Sequence, residues 1–243
     1  MKFSIIIPCY NEAPNLINLL DNLSPIISRD DTEVILVENG STDNSKDLFK
    51  TTIEHHFPQV TTVYVNTNKG YGYGILQGVQ VATGDYIGWI HADLQVDASI
   101  LLNFFDYAKS NPTRTFFLKG KRSNRHLIEY FFSFGMSCFE SLLFHKIMFE
   151  VMAMPCLIPS HLLKNYYSSI PIDFSIDIFV YALAVYNDIE VIHIPVKMRD
   201  RTAGISSWNT GIIARIKQSH KMMQSSIIIK KEITKLITPE ELS

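Results

Sequence analysis

Asp93 and Gln95 stand two residues apart just past an apolar run, Tyr86 to Ile90, and His91 precedes Asp93 by the same interval. Oxygen-bearing side chains at that spacing can converge on one hard cation such as Mg2+, which keeps waters and phosphates in its remaining positions. Strand alternation points His91 the same way. As a softer ligand it would favour Mn2+ over Mg2+. Three further clusters carry carboxylates and amides: Pro8 to Glu12, Glu38 to Asp43, and Asn66 to Gly70. Such groups suit a base and a ribose diol, while a divalent ion or basic residues must neutralise a diphosphate. The segment holding Lys119, Lys121, Arg122 and Arg125 reads either as a solvated basic loop or as a phosphate site. Arginine suits the second because its fork meets phosphate in bidentate fashion.

The elements that must position these groups alternate between strand and helix. Phe3 to Ile7 is a continuous apolar run, as in a strand buried on both faces. Pro14 opens a helix whose Leu16, Leu19, Leu20 and Leu23 follow the i, i+3, i+4, i+7 rule. Glu33 to Val37 and Thr62 to Asn66 read as strands, Tyr71 to Ala82 as a helix closed by Gly84, and Tyr86 to Ile90 as a fourth strand. Repeated units of this kind build a mostly parallel sheet, with ligands bound beyond the carboxyl ends of its strands. All four early strands end in the polar clusters named above, so the clusters should meet at one sheet edge. The second half is less regular. It predicts a strand over 115–119, a helix over 127–149 rich in aromatics and Met, a helix over 176–186, a strand over 190–196 and a long amphipathic helix over 212–236.

Composition narrows the classes. With 47% apolar and 19% charged residues the chain is folded, and its net charge of −2 argues against a nucleic-acid partner. Cys9, Cys138 and Cys156 are far apart, form no CxxC pair and read as small buried hydrophobes in a reducing compartment. The apolar run before Pro8 is too short for a signal-peptide core, and no run approaches the ~20 apolar residues of a spanning helix. The location expected is therefore cytoplasmic, with peripheral contact on the membrane's cytoplasmic face.

The segments SIIIPCYNEAPNL, LVENGSTDNS, NKGYGYGILQGVQVATGDYIGWIHADLQVD and RTAGISSWN resemble, in order, the motifs of family 2 inverting glycosyltransferases with the GT-A fold. They are most similar to the branch of dolichyl- and polyprenyl-phosphate sugar synthases, and the likeness covers roughly residues 1 to 210. It implies an α/β, Rossmann-like nucleotide-binding fold with a mostly parallel sheet and a helical acceptor side. Residues 1–97 would form the nucleotide-sugar half, 98–210 the acceptor half and 211–243 an amphipathic tail. Donor contacts are implied at Pro8, Tyr10, Asn11, Glu12, Glu38, Gly40, Ser41, Asp43, Lys69, Gly70, Gly74, Ala92 and Asp93. A divalent metal, Mn2+ or Mg2+, is implied at Asp93 and Gln95 with His91 beside them. Acceptor-phosphate contacts are implied at Lys119, Arg122, Arg125, Ser133 and Ser206, and a leaving-group role at Arg201.

The chain departs from the family pattern at three places. The usual Asp-x-Asp reads His91-Ala92-Asp93, so one anionic ligand is missing and a weaker or softer metal site is expected. The usual VDDGS reads Val37 to Ser41 with Glu38 and Asn39, and the closing RxxGxSK ends on Ser207 where lysine is usual. Two acceptors stay open. A polyprenyl phosphate is already an anion and needs no general base. A saccharide hydroxyl in surface-polysaccharide or glycolipid assembly needs one, with Glu150 and Asp177 the candidates. A non-catalytic nucleotide-binding relative is the third expectation. The aromatic and Met-rich helix reads as core or as a membrane seat, and the C-terminal helix as an interfacial, packed or homo-oligomeric element.

Overall fold

The computed structural model describes residues 1–123, 127–199 and 212–237. In chain order it contains β1 (Phe3–Cys9), α1 (Leu16–Ile27), β2 (Thr32–Asn39), α2 (Ser45–Leu48), α3 (Glu54–His56), β3 (Val60–Val65), α4 (Tyr71–Val81), β4 (Tyr86–Trp89) and α5 (Ile100–Ser110). Then follow β5 (Phe116–Ser123), α6 (Leu127–Phe144), β6 (Cys156–Pro159), α7 (Ser160–Asn165), α8 (Ile176–Tyr186), β7 (Glu190–Lys197) and α9 (Ile212–Ile237). The strands form one sheet in the order β3-β2-β1-β4-β6-β5-β7. All are parallel except β6, which runs antiparallel to both β4 and β5.

The central strands are buried on both faces, which is why Ile5 to Ile7 of β1 read as an unbroken apolar run. Ile5 and Ile7 of β1 pack with α1 and α5, through Leu16, Leu20, Phe104 and Phe105. Ile6 faces the opposite layer, with Val79 of α4, Phe144 of α6 and Phe179 of α8. The helix α9, expected as a tail, buries Met222, Ile229 and Ile233 in this second layer, so it is part of the fold's body.

Several expectations change. Gly84 does not close α4, which ends at Val81 and is followed by Ala82 in extended backbone; the Gly84 N–H donates to Ser4 Oγ at 2.8 Å and joins the turn to β1. The helix α6 stops at Phe144 rather than Phe149, where His145 takes a left-handed φ of 53°. Its burial is mixed: Phe144 and Glu140 are buried, while Phe131 and Leu142 are 70% and 75% exposed. Cys138 is also exposed, unlike Cys9 and Cys156. Among the described residues no helix is long and apolar enough to cross a membrane.

Candidate active site

The carboxyl ends of β1, β2, β3 and β4 open on one cleft of about 1250 Å³. Pro8, Tyr10 and Glu12 line it after β1, Asn39 at the end of β2, Asn68 and Gly70 after β3, and His91 to Asp93 with Gln95 after β4. The expected convergence of the four clusters is therefore present. The same cleft is lined by Arg122 of β5, Glu129 and Ser133 of α6, Asp177 of α8, and Arg215 of α9.

The loop after β1 is laced to the loop after β2. Asn11 (φ 56°) receives hydrogen bonds on Oδ1 from Thr42 N–H at 2.8 Å and Asp43 N–H at 3.3 Å. Its own N–H donates to Ser41 Oγ at 3.1 Å, and Ala13 N–H donates to Asp43 Oδ2 at 3.2 Å. Asn11, Ser41 and Asp43, implied as ligand contacts, thus spend these groups on holding the two loops together. Gly40 sits at φ 73°, where a Cβ would come within 2.4 Å of Asn68 N, so β2 can turn there only with glycine. Beside it Glu38 is fully buried; Oε1 accepts from Ser41 N–H at 2.6 Å, while Oε2 has no protein partner.

The start of α4 is tied to β2 by Asn39, whose Nδ2 donates to the Gly70 carbonyl at 3.1 Å. Gly70 has φ 122° and lies so close to Ile172 that a Cβ would be 2.6 Å from its carbonyl oxygen. Gly74 is buried against the Asn39 amide, with room for no side chain. Lys69 is exposed, its ammonium 4.9 Å from the centroid of the Tyr73 ring.

Asp93 is 7% exposed, and its Oδ1 accepts the Gln95 N–H at 3.1 Å because Leu94 adopts φ 59° and turns the chain sharply. The His91 ring packs on Tyr71 (centroids 5.0 Å), which stacks in turn on Phe174 at 4.8 Å. Among the described residues no three His, Cys, Asp or Glu side chains gather around a common metal position. The donor set here is one carboxylate flanked by an imidazole and an amide. That suits a hard ion drawing its other ligands from a diphosphate, and not a protein-only cage.

Asp177 lines the cleft and is 2% exposed. Trp89 Nε1–H donates to its Oδ1 at 3.2 Å. Burial pushes its carboxyl up to about 6, against the opposing pull of Lys119 and the Trp89 bond. The other acid expected as a base, Glu150, is not at the cleft surface. It is buried and pairs with Arg122 at 3.2 Å, which makes it a positioning residue for that guanidinium. Lys119 does not reach the acceptor side either. It is fully buried, donating to the Val151 carbonyl at 2.7 Å. Arg122 and Ser133 do line the cleft. Arg125, Arg201 and Ser206 lie outside the described residues. The sequence reading missed Tyr71, Phe174, Glu129 and Arg215. Only Tyr71, at the N-terminus of α4 in the Gly-rich segment, carried a local signal.

A mostly parallel sheet with a carboxylate-bearing turn after β4 and a cleft across its strand ends is the arrangement of the GT-A fold. Residues 4–154 match the family model described as glycosyl transferase family 2, and the chain belongs to that family. Among curated relatives, the undecaprenyl-phosphate 4-deoxy-4-formamido-L-arabinose transferase of Serratia proteamaculans is 35% identical over 96 residues, 39% of this chain and 29% of the relative. The poly(ribitol-phosphate) beta-glucosyltransferase of Bacillus spizizenii is 29% identical over 116 residues, 46% of this chain and 18% of the relative. The chain thus matches less than a third of either relative's length. Among solved structures, glucosyl-3-phosphoglycerate synthase from Mycobacterium tuberculosis, in complex with Mn2+, UDP and glucosyl-3-phosphoglycerate, superposes with TM-score 0.67 at 12% identity, over 99% of this chain and 81% of that one. S. aureus TarS does so with TM-score 0.58 at 16% identity, over 98% and 43%. At these identities the likeness to the solved structures is one of fold.

Proposed function

We propose that this protein transfers a sugar, with inversion, from a nucleoside-diphosphate sugar to a polyprenyl phosphate. The observation that carries the reading is that one cleft is lined both by the Asp93 turn and by Arg122 and Ser133. The first suits a donor diphosphate and the second an acceptor phosphate. The undecaprenyl-phosphate relative supports the acceptor, and the UDP and Mn2+ in a structural neighbour support UDP as the first donor nucleotide to test.

In this reading the nucleoside lies against Pro8, Tyr10 and Glu12, which line the cleft after β1. Asp93, with Gln95 and His91 at hand, would hold Mn2+ or Mg2+, an ion that neutralises charge on the diphosphate. Arg201 assists the same leaving group. An acceptor phosphate oxygen forms the new bond to the anomeric carbon as the carbon–diphosphate bond breaks, and the bonding pair leaves with the diphosphate. The acceptor is already ionised, so no base is needed. The exposed Tyr130, Phe131 and Phe134 of α6 support a peripheral seat on the cytoplasmic membrane face, beside the lipid.

Asp177 favours a second reading, transfer to a saccharide hydroxyl. It is a buried carboxylate in the cleft with a carboxyl raised to about 6, as a general base near neutral pH requires. Radiolabelled UDP-sugars offered with undecaprenyl phosphate and with oligosaccharides decide between the two. Label in the organic phase supports the lipid acceptor; label only in the aqueous oligosaccharide fraction rules it out.

A further inference from the structure

Three elements far apart in the chain place two guanidiniums and a carboxylate on the lining of one cleft. Arg215 lies in the first turn of α9, and its Nη2 donates to Glu129 Oε1, in the first turn of α6, at 3.0 Å. Glu129 also acts electrostatically on Arg122, at the end of β5. Arg122, Glu129, Ser133 and Arg215 all line the cleft. Arg215 falls outside residues 4–154, the part of the chain that the family model matches.

The two acids near these arginines differ in one decisive respect. The Glu150 side chain is 4% exposed and locked behind Arg122, whereas that of Glu129 is 33% exposed and borders open solvent. Removing Glu150 from its guanidinium would strand a buried charge; swinging Glu129 out would not. With Glu129 in place the charges of Arg122, Arg215, Glu129 and Glu150 cancel, and with it withdrawn the remaining three carry one net positive charge. A phosphate monoester carries about −1.5 to −2 at neutral pH and three terminal oxygens, enough to engage two arginine forks at once. A carboxylate offers only two.

We propose that Arg122 and Arg215 form a two-arginine clamp for the phosphate of the acceptor, with Glu129 as the resting counter-ion that this phosphate displaces. The inference rests on the reading above that the acceptor bears a phosphate. It gives α9 a role in substrate recognition beyond packing. The clamp recognises the phosphate itself, which a lipid phosphate or a small phosphorylated acceptor could each supply.

The test is calorimetric titration of the full chain with farnesyl phosphate, farnesol and glycerol 3-phosphate, with UDP–Mn2+ binding as the check on folding. Wild type binds a phosphate ester, and its preference between farnesyl phosphate and glycerol 3-phosphate identifies the source. Arg215→Ala weakens that binding about tenfold or more, and Arg215→Lys, which keeps charge but loses the fork, weakens it less. UDP–Mn2+ binding stays within about twofold in both, and any farnesol binding is unchanged. Glu129→Gln tightens the phosphate ester. If wild type binds farnesyl phosphate and Arg215→Ala binds it equally, or Glu129→Gln loosens it, the clamp is wrong while the phosphate-acceptor reading stands. If wild type binds neither phosphate ester, both fall together.

Discussion

Replacing Asp177 with asparagine should make the protein more stable at neutral pH, although it lines the cleft. The side chain is 2% exposed, and burial raises its carboxyl from an ordinary 3.8 to about 6. Between those two values the folded protein binds a proton that the unfolded chain has released, so stability falls as pH rises through this window. An interval of about two pH units corresponds to about 3 kcal/mol. Well below 3.8 the carboxyl is protonated in both states, and there Asp177→Asn should approach wild type because the amide is isosteric and its oxygen can still accept the Trp89 N–H. Above pH 6 the variant should be the more stable by about 1–3 kcal/mol. Urea unfolding at pH 4, 5, 6 and 7.5 reads this directly as a gap that opens with pH. A gap of the same size at every pH, or a variant less stable than wild type at pH 7.5, would refute the reasoning. Transfer measured on the same protein separates the acceptors: a hydroxyl acceptor loses its base, and a phosphate acceptor does not need one.

Two further substitutions test how the site is held. Glu150→Gln leaves the Arg122 guanidinium without its buried counter-charge and should cost about 3–5 kcal/mol in chemical denaturation. It should also raise the KM for a phosphate acceptor more than the KM for the donor, whereas a lost catalytic base would lower kcat with KM unchanged. Gly70→Ala forces a Cβ to 2.6 Å from the Ile172 carbonyl oxygen at a φ of 122°, and should destabilise by about 1–3 kcal/mol with weakened donor binding, read by thermal unfolding with and without UDP–Mn2+.

The donor side was the more legible half because its signals are local. Apolar runs such as Ile5 to Ile7 end in polar clusters within a few residues, and a parallel sheet aligns those ends. Where the reading fell short, the cause was a signal too short or too distant. The strand β6 is four residues, buried throughout, with Pro159 at its end and no alternation to read. The helix α5 did carry a readable pattern in Leu101, Phe104, Phe105 and Ala108, and was overlooked. Lys119 looks like its basic neighbours in sequence, but it lies in the part of β5 that is buried at every position, Phe116 to Gly120, and its ammonium reaches the Val151 carbonyl. Glu150 and Arg122, Trp89 and Asp177, and Glu129 and Arg215 are pairs 28, 88 and 86 residues apart, made only by tertiary packing. Local spacing cannot reveal them, which is why the acceptor wall became clear only from the structure.

The central claim is that the turn after β4 makes this cleft a donor site, with Asp93 its one anionic metal ligand. Calorimetric titration of wild type and Asp93→Asn with UDP and other nucleoside diphosphates, with and without Mn2+, tests it most directly. The account predicts that one nucleotide binds wild type, that Mn2+ strengthens this binding at least tenfold, and that Asp93→Asn loses the metal-dependent part while remaining folded. Binding that ignores the metal and is equal in the two proteins would contradict it.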